Sequence, residues 1–173
     1  NYLPWLGYFR KIAMSDVFVF FDNVHMPGGK SFISRNAIKT PAGRQWLTVP
    51  IRRNGLNQPI AGVEIADQHW QRKHLRSLHI NYSQSAWKQI IDEEIAGAFE
   101  AGHSRLADLN IDLVMRICDL LGLKHTSFRR ASALPLTAEG ADSVQDILAV
   151  TNAQVYVTGS GSGTTRHLDP SAL

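Results

Sequence analysis

Residues 126–163, TSFRRASALPLTAEGADSVQDILAVTNAQVYVTGSGSG, decide the fold class. Residues 126–131 read as a strand, and a loop over residues 135–140 follows. Ser143-Val144-Gln145-Asp146 has the form of a capping box, which opens a short helix through Val150. Residues 154–158 then read as a second strand, which runs into Gly159-Ser160-Gly161-Ser162-Gly163. Strand, helix and strand within about forty residues predict a right-handed βαβ unit and a parallel sheet.

The rest of the chain fits around that unit. Pro4 starts a helix in which Trp5, Leu6, Phe9, Ile12 and Ala13 recur at helical spacing. Residues 17–24 are almost continuously β-branched or aromatic, as in a strand buried on both faces. Residues 31–38 and 46–51, around Pro41-Ala42-Gly43, predict a hairpin. A short strand is expected at residues 60–66, with Asp67 capping a helix that turns Trp70, His74 and Leu78 inward. A further helix begins near Ser85, with Trp87, Ile90, Ile91, Ile95 and Phe99 on its apolar side. The longest helix follows Ser104; Leu106, Leu109, Leu113, Val114, Ile117, Cys118 and Leu121 form its stripe, and Gly122 closes it. The expectation is one α/β domain over residues 1–173, with a hairpin insertion and a helical segment between the sheet-forming ends.

Composition removes several alternatives. A chain of 173 residues, 44% apolar and 19% charged, reads as an ordinary globular protein. Its longest aliphatic and aromatic run is residues 17–21, too short to span a bilayer. Cys118 is the single cysteine, so an intrachain disulfide framework is ruled out and a reducing, cytoplasmic setting fits. The chain opens at Asn1 rather than methionine and stops at Leu173, which reads as a fragment of a longer protein. Residues 1–90 carry 12 Lys and Arg against 4 Asp and Glu, or +8, whereas residues 91–173 carry 6 against 11, or −5. A basic first half suits an anionic ligand or is simply an uneven solvated surface. Nucleic acid is the least favoured partner, because the basic residues come as scattered pairs.

Several residue groups are candidates for chemistry. The glycine loop from Gly159 to Gly163 follows a predicted strand, so its backbone N–H groups suit an anion. It matches neither Walker A nor GxGxxG, and a plain surface loop is the competing reading. Asp22 falls near the carboxyl end of the first strand, where ligands gather in parallel sheets. It suits a metal, a substrate hydroxyl or a base role, or it caps a turn with Asn23. Arg35 shares a face with Ile33, either as an anion clamp or as a snorkelling side chain. His69, His74 and His79 are spaced by five, about 140° apart on a helix, so no metal site is expected. His74 reads as a hydrogen-bonded core histidine and Cys118 as a buried, inert thiol.

Asn1-Tyr2-Leu3-Pro4-Trp5-Leu6-Gly7-Tyr8-Phe9 followed by Ser15-Asp16-Val17-Phe18-Val19 resembles the opening of the WbqC-like family. Arg35-Asn36, Trp46-Leu47-Thr48-Val49-Pro50, Trp70 with Lys73-His74, Asn81-Tyr82 and Tyr156 with Thr158-Gly159 extend the resemblance along nearly the whole chain. The family's His-Gln-Pro before Asn-Tyr, and its continuation past the glycine loop, are not in this sequence. The resemblance implies a bacterial cytoplasmic protein associated with O-antigen or other surface-polysaccharide genes, without fixing a reaction. A weaker similarity is to Rossmann-like nucleotidylyltransferase folds, although their histidine motif is missing.

These observations lead to an expected transferase of surface-glycan biosynthesis acting on an activated, phosphate-bearing substrate such as a nucleotide sugar. Gly159, Ser160, Gly161 and Ser162 would cradle the phosphate, with Tyr2, Asp22, Lys30, Arg35 and Asn36 on the facing side. Arg35 and Lys30 would neutralise the leaving group, and Asp22 would position or deprotonate the acceptor. The rival expectation is a non-catalytic protein that binds an anionic glycan or a partner enzyme. Nothing in the sequence names a cofactor or an oligomeric state.

Overall fold

The computed structural model describes residues 1–55, 57–67, 69–138 and 142–159. Helix α1 (Leu6–Ala13) leads into β1 (Val17–Phe20), and β2 (Arg35–Thr40) and β3 (Gly43–Thr48) form the expected hairpin. Strands β4 (Ile51–Arg52) and β5 (Glu64–Ile65) make a short antiparallel pair, with a 3-10 turn at Ile60–Gly62 replacing the front of the strand expected there. Helix α2 (Trp70–Tyr82) follows, and Asp67 accepts the His69 backbone N–H just before its first turn. Helix α3 (Lys88–Ile90) passes through a π-helical stretch (Ile91–Ile95) into α4 (Ala96–Glu100). Helix α5 (Leu106–Leu120), β6 (Ser127–Arg130) and α6 (Ser143–Val150) complete the described elements.

The fold is a mixture of helices and strands in which β1 and β6 form a two-stranded parallel sheet, Val17 opposite Ser127 through Phe20 opposite Arg130. The predicted strand and helix at residues 126–131 and 143–150 are therefore present. The second strand of the predicted βαβ unit is not assigned: among the described residues, residues 154–157 belong to no strand. Strand β1 is also shorter than expected. Among the described residues it has a neighbour on one edge only, and Val17 and Phe21 stay partly exposed.

Helix α5 is the wall shared by two cores. Leu106, Leu109 and Leu113 join Tyr2, Trp70, Ile95 and Phe99 on one side, while Val114 and Cys118 join Phe9, Ile12 and Phe20 on the other. Gly122, at φ +68°, ends the helix: Leu123 N–H bonds the Cys118 carbonyl and Gly122 N–H bonds Asp119, the paired bonds of a Schellman cap. Cys118 is buried, and its thiol pKa is pushed up to about 11 by burial and by Asp119. Five residues placed on apolar stripes stay exposed, Ala13 at the end of α1 among them. Trp5 is the N-cap of α1 and Leu6 lies on its outer side, Leu121 is the C-cap of α5, and Trp87 is 73% exposed. Trp87 is the N-cap of α3, so it stands before the helix whose later residues Ile95 and Phe99 turn inward.

The capping box expected at the start of α6 is also redirected. Asp142 occupies the cap position, and the Asp146 carboxylate accepts from Thr137 N–H, Thr137 Oγ1 and Ala138 N–H. It thereby ties the preceding loop to the helix, and these bonds hold its carboxyl below the ordinary range.

The first core contains a polar pair. Tyr2 is fully buried, and its hydroxyl lies 2.8 Å from His74 Nδ1. Burial keeps the phenol protonated, so it donates to His74, whose other ring nitrogen bonds the Thr48 backbone. The expectation of a hydrogen-bonded core histidine holds. Burial pushes the His74 pKa from 6.5 to about 4, with the Thr48 bond acting the other way. The unfolded chain therefore binds more protons between these pH values, and stability falls as pH drops from about 6.5 to about 4, by on the order of 3 kcal/mol. Urea unfolding at several pH values should show this loss, and it should shrink in His74→Gln; equal slopes would remove His74 from the account. Tyr2→Phe, which strips His74 Nδ1 of its donor, should cost about 1–3 kcal/mol at neutral pH.

Candidate functional site

A cleft of about 670 Å³ runs along β1. One wall is the edge of residues 16–22, and the other is residues 151–157 beyond α6. Its lining mixes apolar residues with polar ones, and Asp22, Asn110 and Asn1 are among the polar ones. Ligands of parallel sheets collect at the carboxyl ends of the strands.

Asp22 is 4% exposed, and its carboxylate is fully engaged. It accepts from Arg130 Nε at 2.8 Å, from the Ser132 backbone N–H at 2.9 Å and from Ser132 Oγ at 2.9 Å. Arg130 closes β6, so the two strand ends are tied to each other through their side chains. Its Nη1 also donates to Asp108 Oδ1, in the first turn of α5, at 2.6 Å. Burial opposes the Arg130 charge, but the bonds to Asp108 and Asp22 outweigh it and raise its pKa. The remaining guanidinium nitrogen, Nη2, takes part in neither ion pair. Beside this cluster Asn23 Nδ2 donates to Ser143 Oγ, which joins the end of β1 to α6.

The other expected site residues are placed as follows. Tyr2 lies in the core on His74. Asn36 donates to the Leu3 carbonyl at 2.6 Å and fastens the opening strap, where Leu3 takes a left-handed φ of +42°. Arg35 lies over the Trp46 ring at 3.9 Å, in an aromatic group continued by Phe32 and Trp5. Lys30 is exposed in the turn before the hairpin. Among the described residues no hydrogen bond or ion pair joins Asp22 to Lys30, Arg35 or Asn36. Gly159 is half-buried at the end of the described chain, and Ser160, Gly161 and Ser162 lie outside the described residues. Arg130, Asp108 and Ser132 were not singled out from sequence. The signal for Arg130 was available, since the strand-end rule that selected Asp22 applies equally to residues 126–131. Within the described residues no three His, Cys, Asp or Glu side chains are grouped to hold a metal ion, and no helix is long and apolar enough to cross a membrane.

A parallel strand pair lined by a cleft, set among helices and two antiparallel strand pairs, defines a fold of mixed helices and strands. The chain matches the WbqC-like protein family over residues 1–170 and belongs to that family. The uncharacterized protein Rv1507c of Mycobacterium tuberculosis is 38% identical to it over 125 residues, covering 71% of this chain and 54% of that protein. The chain thus spans about half the length of the curated relative it matches. No solved structure matches it.

Asp22 and Arg35, both first chosen for chemistry, differ sharply in what they hold. Asp22→Ala should cost about 2–4 kcal/mol in urea unfolding, because it leaves Arg130 and the Ser132 donors unanswered. Arg35→Ala should cost about 0.5–1 kcal/mol, the scale of a partly exposed cation–π contact. Equal losses would contradict this division.

Proposed function

We propose that the carboxyl-end crevice binds an activated, phosphate-bearing substrate such as a nucleotide sugar, and that the protein transfers a group from it in bacterial surface-glycan biosynthesis. The observation that carries this reading is the position of the cleft. Asp22, which lines it, is paired with Arg130 just behind, and residues 151–157, which lead toward Gly159, line it as well.

Asp22 and Asp108 outnumber Arg130 at the crevice, so the cluster alone is not an anion site. In this reading Gly159, Ser160, Gly161 and Ser162 supply backbone and hydroxyl donors to the phosphate. Arg130, held rigid by two carboxylates, offers Nη2 to the same group or to charge developing on the leaving oxygen. Asp22 then acts as a positioning residue that fixes the guanidinium. A second reading has its own support: with Asp22 satisfied by three donors, a protein that binds an anionic glycan or a partner enzyme without turnover fits the same geometry.

Thermal-shift measurements with inorganic phosphate, nucleotides and nucleotide sugars separate these readings. A true ligand at about a hundred times its Kd should stabilise the fold by roughly 2.7 kcal/mol. We expect one nucleotide sugar to do so when phosphate does not, and Arg130→Gln to lose the ligand-dependent part of the shift. Stabilisation by none of them would overturn the transferase reading.

A further inference from the structure

We propose that the outward face of the β2–β3 hairpin, with Phe32 and Trp5 beside it, is a docking surface for single-stranded nucleic acid. The inference stands apart from the ligand assigned above, because Trp5, Phe32, Arg35, Lys39, Arg44 and Trp46 do not line the cleft.

The ladder decides which side chains share the face. Ala37 stands opposite Trp46 and Lys39 opposite Arg44, and residues two apart on a strand point the same way. Arg35, Lys39, Arg44 and Trp46 therefore share the outward side, while Ile38 and Leu47 turn to the first core. The contacts agree: the guanidinium carbons of Arg35 and Arg44 lie 3.9 and 5.9 Å from the centre of the Trp46 ring. The aromatic surface continues off the hairpin, from Trp46 to Phe32 at 6.0 Å and from Phe32 to Trp5 at 6.1 Å between ring centres. Trp5, Phe32 and Trp46 are 54%, 49% and 38% exposed. Singly exposed rings are ordinary, but a contiguous run of them marks a binding surface.

Charge identifies the occupant. Residues 23–63 contain no Asp or Glu. Among the described residues Arg35, Lys39 and Arg44 enter no ion pair. Lys39 and Arg44 face each other directly across the ladder, an arrangement that repels and costs stability. Cations scattered in the sequence are thus gathered by the hairpin onto one side, and that side suits an anionic chain. Arg35, Lys39 and Arg44 beside Trp5, Phe32 and Trp46 give one positive charge for each planar ring. Single-stranded nucleic acid has the matching composition, one phosphate for each base. Its bases stack on exposed aromatic rings and on arginine planes while lysine and arginine take the phosphates. An open hairpin face also suits an extended chain better than a small molecule, which needs a concave pocket. An acidic polysaccharide with charge on only some of its sugars is a poorer match to the ratio.

Fluorescence anisotropy with labelled oligo(dT) and oligo(rU) of about twenty nucleotides tests the proposal. Binding should weaken with salt, log of the association constant falling against log salt with a slope of about −2, or roughly 0.7 for each of three phosphates held. Lys39→Gln combined with Arg44→Gln should flatten the slope to about −0.7 and melt no lower than the parent, since the change removes a repulsion. Phe32→Ala should weaken binding about five- to a hundredfold at an unchanged slope, through lost stacking. Lys124→Gln combined with Arg129→Gln removes the same charge after α5 and on β6, and should leave affinity within about twofold. No binding of either oligonucleotide at about 50 mM salt, or equal losses in the two double variants, would overturn the proposal. Displacement by polygalacturonate as effective as by unlabelled oligonucleotide at equal charge would also overturn it, and would assign the face to an acidic glycan.

Discussion

The Asp22 carboxylate sets the constraint on which the sheet end depends. A charge that is almost wholly out of water is tolerated only when its oxygens are answered by donors. Here one oxygen takes the Ser132 backbone and the other takes Arg130 and the Ser132 hydroxyl. Because Arg130 also holds Asp108, this one requirement fixes the end of β1, the end of β6, the turn after it and the first turn of α5. The end of the cleft at Asp22 is thus backed by an ionic knot.

Elements whose signal is carried by their own side-chain period were legible in the sequence. Helix α5 and its glycine stop, the inward Trp70, His74 and Leu78 of α2, and the hairpin follow their local patterns. Elements that depend on a neighbour were not. Residues 154–158 have the composition of a strand, but a strand is defined by its partner, and among the described residues 154–157 join no ladder. Trp87 fails for a related reason, because it is the N-cap of α3 rather than a residue of the helix, so helical spacing does not apply to it. At α6 the motif was real and its use was different: Asp146 serves the loop before it.

The candidate site divides in the same way. Asp22 was found by a topological rule that needs only a strand and its end. Arg35 and Lys30 were selected by residue type, and chemistry alone does not show that Arg35 faces Trp46. Tyr2 and Asn36 were placed at the site, but their partners lie 72 and 33 residues away and concern the opening strap. Long-range pairs of this kind have no local periodicity to betray them.

The parallel pairing of β1 with β6 carries a consequence for synthesis. The Asp22 and Ser132 bonds close a loop of 110 residues, and the strand register spans the same distance. Contacts so far apart must wait for loop closure, which slows folding relative to local pairing. On a ribosome β1 emerges early and stays without its partner until β6 has been made. During that interval the aromatic run of residues 17–21 is an exposed, strand-forming segment, the type that chaperones shield and that aggregates when they do not. The helices made in between fold largely from local contacts, so the order of assembly is interior first and sheet last.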